Sequence, residues 1–409
     1  MCRWRPFVWS FGVCVLLADQ ASAQMLTETE ALARMRMEHP QVRVLRFTVR
    51  QAEAEARERR QLANPTLSYT REDAGLSVDT FLLVTQQLPV RGRPGLLGEA
   101  ADHAVTAAQA NTDAELLAFD AMARVAFFDL LLAQERFATL EDGLTDLGAV
   151  VDVLRAREAE GEGSRFDRLR AEREVTEIET DLEAAAIGRV GAQARLASFF
   201  APGTDPVGLR AAGRLVDGGT VSDVSALLVE ARALRPDYRA LTLSAARWET
   251  ERRAAGRLRF PGASVTAGLK RSGPAAARDT GYAVTATVAL PLFNRGDAQV
   301  ARAEAARARV DAEQQALGAR IDGEVRVAHA AASRYRDLVD RYQAGSVDRA
   351  DDLAAIATAA YEEGEFGILE LLDAHRATLS ARVRLLELSA AARRAAIELD
   401  RAVGREVTP

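Results

Sequence analysis

The chain has 409 residues, of which 48% are hydrophobic, 27% charged and 6% aromatic, and its formal net charge is −6 at pH 7. This balance excludes a disordered or collagen-like chain. The acidic net charge and the absence of a basic domain argue against a nucleic-acid-binding protein, because phosphate contacts need clustered Lys and Arg.

The first segment is typical of a cleaved signal peptide. Two arginines precede an apolar run over residues 7–18, and Ala21-Ser22-Ala23 then matches the small-x-small pattern of a signal peptidase site. We expect residues 1–23 to be removed on export. Lipidation at Cys14 is the alternative, but Phe11-Gly12-Val13 before it is a poor lipoprotein signal. Both cysteines of the chain lie in this segment, so neither a disulfide nor a catalytic thiol is expected after it.

The rest of the chain repeats itself once. Anchor residues recur at offsets that grow from 196 to 202 and 203: Pro40 with Pro236, Pro65 with Pro261, Leu88-Pro89 with Leu290-Pro291, and Gly161-Glu162 with Gly364-Glu365. An offset near 200 residues predicts a duplicated domain and not a short-period solenoid. We expect one copy over 24–205, a Gly- and Pro-rich linker over 206–221, and a second copy over 222–409.

Each copy has the same order of predicted elements. It opens with one helical stretch, 27–62 or 221–258, which a proline closes. Alternating strands are predicted at about 66–72, 77–88, 263–272 and 281–290. A helical hairpin completes each copy, at about 95–200 and about 295–403. Its first arm of about 60 residues would be roughly 90 Å long at 1.5 Å per residue, too long for a compact globule.

The predicted strands leave unpaired backbone groups at the sheet edges, which the helices cannot pair. An ordinary antiparallel coiled coil would explain the helices alone, and a soluble four-stranded sheet would explain the strands alone. Two β-hairpins expose unpaired edges, however, and small closed barrels need about eight strands. Strands of about ten residues with alternating faces have the length that crosses a bilayer. An exported chain with these strands is therefore expected to oligomerise and close its sheet.

Several strings point to a family. They are Ala231-Arg232-Ala233-Leu234-Arg235-Pro236-Asp237, Ala289-Leu290-Pro291-Leu292-Phe293-Asn294-Arg295-Gly296, Tyr361-Glu362-Glu363-Gly364 and Leu369-Glu370-Leu371-Leu372-Asp373-Ala374. Because these strings occur in this order and the chain repeats itself once, it resembles the TolC family of bacterial outer-membrane efflux ducts. The resemblance implies a mainly helical fold with β-strands, in which long antiparallel hairpins form a periplasmic α-barrel and each protomer of a homotrimer gives four strands to an outer-membrane β-barrel.

The resemblance also implies partners and a place in the cell. A channel of this family lies among outer-membrane lipid with a long periplasmic extension, and it works with a periplasmic adaptor protein and an inner-membrane RND-type pump. The expected function is passive conduction of the pump's substrate to the exterior. The strand-to-helix elbow of the second copy, residues 289–296, looks most like the heavy-metal branch of the family, which favours cobalt, zinc or cadmium ions as the exported substrate. Alternatives are drug or dye efflux, a type I secretion duct, or a periplasmic coiled-coil adaptor or scaffold.

The resemblance assigns roles at the tips of the hairpins. Glu370 and Asp373 match carboxylates that ring the closed tunnel entrance, and Asp167 matches a position that bonds across helices to hold the tip shut. The alternative is that all three are ordinary solvated acids. Residues that mark the adaptor-contacting tips are Gly161, Gly364, Tyr361 and Phe366. Phe366 stands where the family often has a basic residue, so the latch partners stay open, with Arg165 or Arg168 as candidates.

The elbows between strand and helix have a physical explanation. Pro89 and Pro291 lack an N–H and fix φ, so they end the last strand of each copy. Gly296 in the second copy, and Gly92 with Gly95 in the first, then permit the bend.

Sequence signals of catalysis are missing. No HExxH, GxSxG or Walker-type string occurs, and the four histidines are scattered. We therefore expect no enzyme, no catalytic residue, no cofactor and no metal site.

Overall fold

The computed structural model describes residues 24–216, 222–274 and 276–405. The predicted signal segment 1–23, with its cleavage and lipidation alternatives, lies outside these residues, as does part of the predicted linker. The helices are α1 (Glu28–Glu38), α2 (Pro40–Arg60), α3 (Arg93–Ala159), α4 (Arg165–Ala197), α5 (Val224–Leu234), α6 (Pro236–Ala255), α7 (Asp297–Tyr342), α8 (Asp348–Glu362) and α9 (Ile368–Val403). The strands are β1 (Gln24–Leu26), β2 (Thr66–Asp73), β3 (Val78–Leu88), β4 (Leu209–Ala211), β5 (Gly262–Ser272) and β6 (Asp279–Ala289). None of these helices combines the length and the apolar character needed to cross a membrane.

The opening helix of each copy is broken into two. The sequence predicts one helix in each place, but α1 ends before His39 and α5 ends before Arg235, and a proline occupies the first position of the next helix. A residue before proline is sterically excluded from the helical region. His39 accordingly has φ −70° and ψ 132°, and its Nδ1 accepts the N–H of Gln41 at 3.0 Å. The same proline therefore sets the same bend in both copies.

The four longer strands form one antiparallel sheet in the order β2-β3-β5-β6. Each copy supplies a hairpin, and β3 pairs with β5 to join the two hairpins. Within the described chain, β2 and β6 each keep one unpaired edge. Both strands of the second hairpin have 11 residues, whereas β2 has 8. The growth of the sequence offset from 196 to 202 in this region therefore comes mostly from a longer strand and a longer turn in the second copy.

One face of this sheet is apolar and the other polar. Two sets of residues that pair across β2, β3, β5 and β6 form rows on the apolar face. They are Leu67–Val84–Ala267–Val284 and Tyr69–Leu82–Leu269–Tyr282. The neighbouring row on the opposite face is Thr66–Thr85–Thr266–Thr285. The apolar face is open in the protomer, with Leu67 66% and Tyr282 86% exposed. Such alternation suits a sheet that has lipid on one side and water on the other.

The predicted linker contains a short strand that the sequence analysis missed. β4 pairs in parallel with β1 at the start of the described chain, so the linker is fastened to the N-terminal segment. The side-chain amide of Gln134 accepts the Ala211 N–H and donates to the Ala211 carbonyl, each at 2.9 Å. Gln193 donates to the carbonyls of Val207 and Leu209 at 3.2 and 3.1 Å. Two glutamines of the helices therefore hold the linker backbone in place.

The first arms of the two hairpins differ by one residue. α3 runs without interruption for 67 residues, about 100 Å, whereas α7 passes into α8 through a π-helical turn at Gln343–Val347. Before this turn, buried positions of the two copies match at an offset of 202, as in Ala101/Ala303, Ala123/Val325, Ala126/Ala328 and Leu130/Ala332. After it they match at 203, as in Leu147/Ala350, Leu154/Ala357, Ile178/Ala381 and Ala192/Ala395. Because a π turn bonds i to i+5, it accommodates the extra residue without rotating the buried face.

An ion pair is also duplicated. Arg36 on α1 contacts Asp120 on α3, and Arg232 on α5 contacts Asp322 on α7 at 2.8 Å. The two arginines are 196 residues apart and the two aspartates 202 apart, which are the offsets of the sequence anchors. The opening helix of each copy is therefore tied to its long arm by the same pair.

Candidate functional site

The two hairpins reverse through matching turns. Gly161 and Gly364 both have left-handed backbones, with φ of +80° and +78°. In the first turn Glu162 and Gly163 donate their N–H groups to the Arg157 carbonyl, and in the second Glu365 and Phe366 donate to the Ala360 carbonyl. This pattern satisfies the last carbonyls of a helix, and it needs a glycine where φ is positive.

The two tips pack against each other in one protomer. The Arg157 guanidinium of the first hairpin lies 5.4 Å from the centre of the Tyr361 ring of the second. Tyr361 also packs against an apolar cluster formed by α3, α4, α8 and α9, whose buried members are Leu147, Val151, Leu154, Ala171, Ile178, Ala357, Ile368, Leu371 and Leu372. Phe366, by contrast, is 42% exposed. Tyr361 thus holds the two tips together, while Phe366 offers apolar surface at their end.

The predicted gate carboxylates lie near the tips, on two different helices. Glu370 and Asp373 are exposed on the first turns of α9, three residues apart and hence on one side of the helix. Asp167 is half-buried in the first turn of α4, where its N–H donates to the Ser164 carbonyl at 3.1 Å. Among the described residues, no hydrogen bond or ion pair joins Asp167 to Glu370 or Asp373. One protomer therefore places Glu370 and Asp373 on one side of α9 and Asp167 on α4. The described residues give neither Glu370 nor Asp373 an ion pair, although, after the hydrogen bond to Glu174, the Asp373 charge helps to raise the pKa of Arg376.

One candidate latch arginine is engaged inside its own hairpin. Arg168 bonds Glu158 at the end of α3 and Glu172 one turn further along α4, the latter at 2.7 Å. The bond from Glu158 raises the pKa of the Arg168 guanidinium. Glu158 occupies the place that Tyr361 has in the second copy, so the two tips are fastened by different chemistry: a charge pair in the first and a packed ring in the second.

A further ion pair, which sequence reasoning missed, joins the two hairpins above the tips. Arg376 on α9 donates through Nε to Glu174 on α4 at 2.7 Å and contacts its second carboxylate oxygen as well. This guanidinium holds the pKa of the Glu174 carboxyl below its usual range. A usable signal was present in the sequence, because both residues stand about a dozen positions beyond their tip glycine and carry opposite charges.

An open cleft of about 740 Å³ lies beside this pair, between α3, α4 and α9. Charged and aliphatic side chains line it, and none of the lining residues is Phe, Tyr or Trp. His375 on its wall has a lowered pKa because of burial, which the Asp146 carboxylate partly opposes. In the part of the chain that the structure describes, no group of three or more His, Cys, Asp or Glu side chains could hold a metal ion.

The elbows join the sheet to the long arms. β3 ends at Leu88 before Pro89, and β6 ends at Ala289 shortly before Pro291. The residue that makes each bend is the glycine at the start of the following helix, Gly92 with φ +77° and Gly296 with φ +89°. Gly95, which the sequence analysis included in the first bend, lies inside α3 with ordinary helical geometry. The bend therefore needs one glycine in each copy.

An amphipathic antiparallel sheet, joined through two elbows to helical hairpins about 100 Å long, defines the protomer of a TolC-like outer-membrane channel. Residues 227–405 match the family model described as Outer membrane efflux protein. The resemblance stated from the sequence is thereby confirmed, and the expected outer-membrane location with a periplasmic helical extension agrees with the family that residues 227–405 match.

Relatives of known name agree with this assignment. The nickel-cobalt-cadmium resistance protein NccC of Alcaligenes xylosoxydans xylosoxydans is 27% identical over 333 residues, which cover 73% of this chain and 70% of that protein. The cobalt-zinc-cadmium resistance protein CzcC of Cupriavidus metallidurans is 26% identical over 363 residues, covering 85% and 82%. The solved structure of the outer membrane protein VceC from Vibrio cholerae superimposes with a TM-score of 0.71 at 18% identity, covering 92% of this chain and 96% of that one. The matched family is one of channels and not of enzymes.

Proposed function

We propose that this chain forms the outer-membrane channel of a tripartite efflux system that exports divalent heavy-metal cations. In this proposal it acts with a periplasmic adaptor and an inner-membrane RND-type pump, and it conducts passively. The observation that carries the proposal is the pair of exposed carboxylates, Glu370 and Asp373, on one side of α9 near the end of the helical hairpins. The names of the metal-resistance relatives support the choice of substrate.

The unpaired sheet edges support a homotrimer. β2 and β6 would pair with the neighbouring protomers, because an open amphipathic sheet cannot remain stable in lipid with unsatisfied backbone groups at its edges. Three copies of four strands would close a twelve-stranded barrel, with the face carrying Tyr69 and Tyr282 toward lipid and the threonine row toward water. The number three comes from the family resemblance, and the two-copy domain division with its linker belongs to the same proposal.

The tips have the chemistry of a gate and of a docking surface. Around a trimer axis, Glu370 and Asp373 would form a ring of six carboxylates, which concentrates cations and opposes closure by mutual repulsion. Asp167 would bond to a neighbouring helix when the entrance is shut, and Arg165, for which the described residues give no ion pair, is the remaining candidate partner. The exposed Phe366 ring beside Gly364 would contact the adaptor, while Gly161 shapes the companion tip.

A conductance experiment tests the gate. In planar bilayers, E370A/D373A should lose cation preference and block by multivalent cations, most strongly at low salt, because an open ring is screened over a Debye length of about 10 Å at 0.1 M. The matched control, E183A/E313A, removes two exposed acids that lie far from the tips and should leave both properties unchanged. Equal selectivity and equal block in wild type and E370A/D373A would return both carboxylates to the class of solvated surface acids.

A growth experiment tests the substrate. A strain lacking this chain should become sensitive to cobalt, zinc or cadmium salts and keep wild-type resistance to dyes. The cleft beside Arg376 supports this view, because it lacks the aromatic lining that small organic molecules prefer. Sensitivity to dyes without sensitivity to metals would favour the drug-efflux alternative.

A further inference from the structure

A small pocket lies directly below the sheet, where α2, α3, α6 and α7 meet at the level of the elbows. Its volume is about 180 Å³. Two of its lining residues lie close to the sheet in sequence. Arg93 comes five positions after the end of β3, and Leu258 comes four positions before the start of β5. The pocket is therefore at the boundary between the sheet and the helical part of the chain.

The lining of this pocket has more positive than negative charge. It contains Arg59, Arg93, Arg247 and Arg302 but one carboxylate, that of Glu251. Glu251 is occupied by an ion pair with Arg59. Within the described lining, Glu251 is thus the one carboxylate, and its ion pair is with Arg59 and not with Arg93 or Arg247.

Two guanidinium nitrogens in this pocket are buried without a partner. The Nε atoms of Arg93 and Arg247 have no hydrogen-bond partner among the described residues, although neither atom is accessible to water. A buried donor left unsatisfied destabilises the fold, and more so when the group is charged. Burial, followed by repulsion from Arg59, lowers the pKa of Arg247, while the Glu251 and Glu55 carboxylates act in the opposite direction. An anion between the two guanidinium groups would remove both penalties.

Apolar side chains form part of the pocket wall beside these arginines. The Trp248 ring lies under the Arg247 guanidinium, 5.0 Å from its carbon, and Leu97 and Leu258 complete that side of the pocket. Tryptophan is enriched at the level of lipid headgroups, where an apolar ring and a polar edge are both satisfied. Basic pockets flanked by apolar side chains at a membrane boundary are suited to headgroup phosphates.

We propose that the pocket between Arg93 and Arg247 binds the phosphate group of a phospholipid headgroup, one per chain. The planar forks of the two guanidinium groups match phosphate oxygens in bidentate geometry. The glycerol and acyl chains would then pass Trp248 and Leu258 toward the apolar face of the sheet. The site requires the outer-membrane location but not metal transport, so its failure would leave the proposed efflux function untouched.

Native mass spectrometry of the delipidated, full-length channel tests this proposal. Phosphatidylglycerol and diacylglycerol with the same acyl chains are added separately, since the two differ by the phosphate-bearing headgroup. Wild type should retain one phosphatidylglycerol per chain and little diacylglycerol. R93A/R247A should retain phosphatidylglycerol at least about tenfold more weakly, because charge-assisted hydrogen bonds to phosphate are lost at two positions.

A matched control and a milder variant make the outcome decisive. R57A/R91A removes two exposed arginines that are also near the elbows but outside the pocket, and it should bind like wild type. R247K keeps the charge without the fork and should show an intermediate loss, which can be measured even where the double variant fails to assemble. The proposal is overturned by equal retention of diacylglycerol, by equal loss in R57A/R91A, by wild-type binding in both R247K and R93A/R247A, or by inorganic phosphate binding as tightly as the lipid.

Discussion

Replacing Gly296 by alanine tests whether the second elbow depends on close backbone contact as well as on backbone conformation. A Cβ at this position would lie 2.6 Å from the Ala255 carbonyl oxygen and 2.9 Å from the Leu258 Cβ, and the residue has φ +89°. The left-handed conformation alone costs a non-glycine residue about 1–2 kcal/mol. Displacing a backbone carbonyl and a packed side chain adds about 1–3 kcal/mol. We expect G296A to destabilise the fold by about 2–5 kcal/mol, the sum of these two terms.

The first elbow supplies a matched control. Gly92 has nearly the same backbone, with φ +77°, but a Cβ there would meet no atom closer than 3.9 Å, at the flexible end of Arg257. G92A should therefore show the conformational cost alone, about 1–2 kcal/mol. Thermal unfolding of the assembled channel, followed by far-UV circular dichroism, should rank wild type above G92A and G92A above G296A. A midpoint for G296A equal to or above that of G92A would refute the reasoning from close contact.

Two further predictions concern the long helices. E174Q should lower stability by less than about 1 kcal/mol at pH 7, and its effect should shrink as the pH falls below 4.5. The pair with Arg376 depresses the pKa of Glu174, so it contributes above the unfolded pKa of 4.5 and is lost as the pH falls through the lower folded value. An effect of the same size at pH 7 and at acid pH would contradict this. Deleting Gly345 should be tolerated, since an α turn can replace the π turn and keep α8 in register. Deleting Gly323 inside α7 should instead rotate Val325 and Ala328 out of the core and lower the unfolding midpoint further. Thermal unfolding of both deletion variants tests this, and an equal fall in their unfolding midpoints would refute the assignment of the extra residue to the π turn.

Local chemistry made much of the fold readable from the sequence. Pro89, Pro291 and the tip glycines act through their own backbones, so their effects do not depend on distant residues. The helical opening segments were predicted as single elements although Pro40 and Pro236 break them, which the steric rule for residues before proline could have indicated. The gate and docking roles of Glu370, Asp373 and Phe366 remain predictions, because they arise from family resemblance and concern an assembly of several chains.

The sequence by itself determined the order of strands and long helices and the position of the elbows, because periodicity, proline and glycine are signals that each short segment carries alone. Only the tertiary structure decided which charges meet. Arg376 and Glu174 are 202 residues apart, and Arg93 and Arg247 line one pocket from different helices. The pairing of β1 with β4 was likewise invisible, since strands of three residues are too short to show alternation. Such contacts depend on how whole helices are placed side by side, and that placement is set by packing between the two copies.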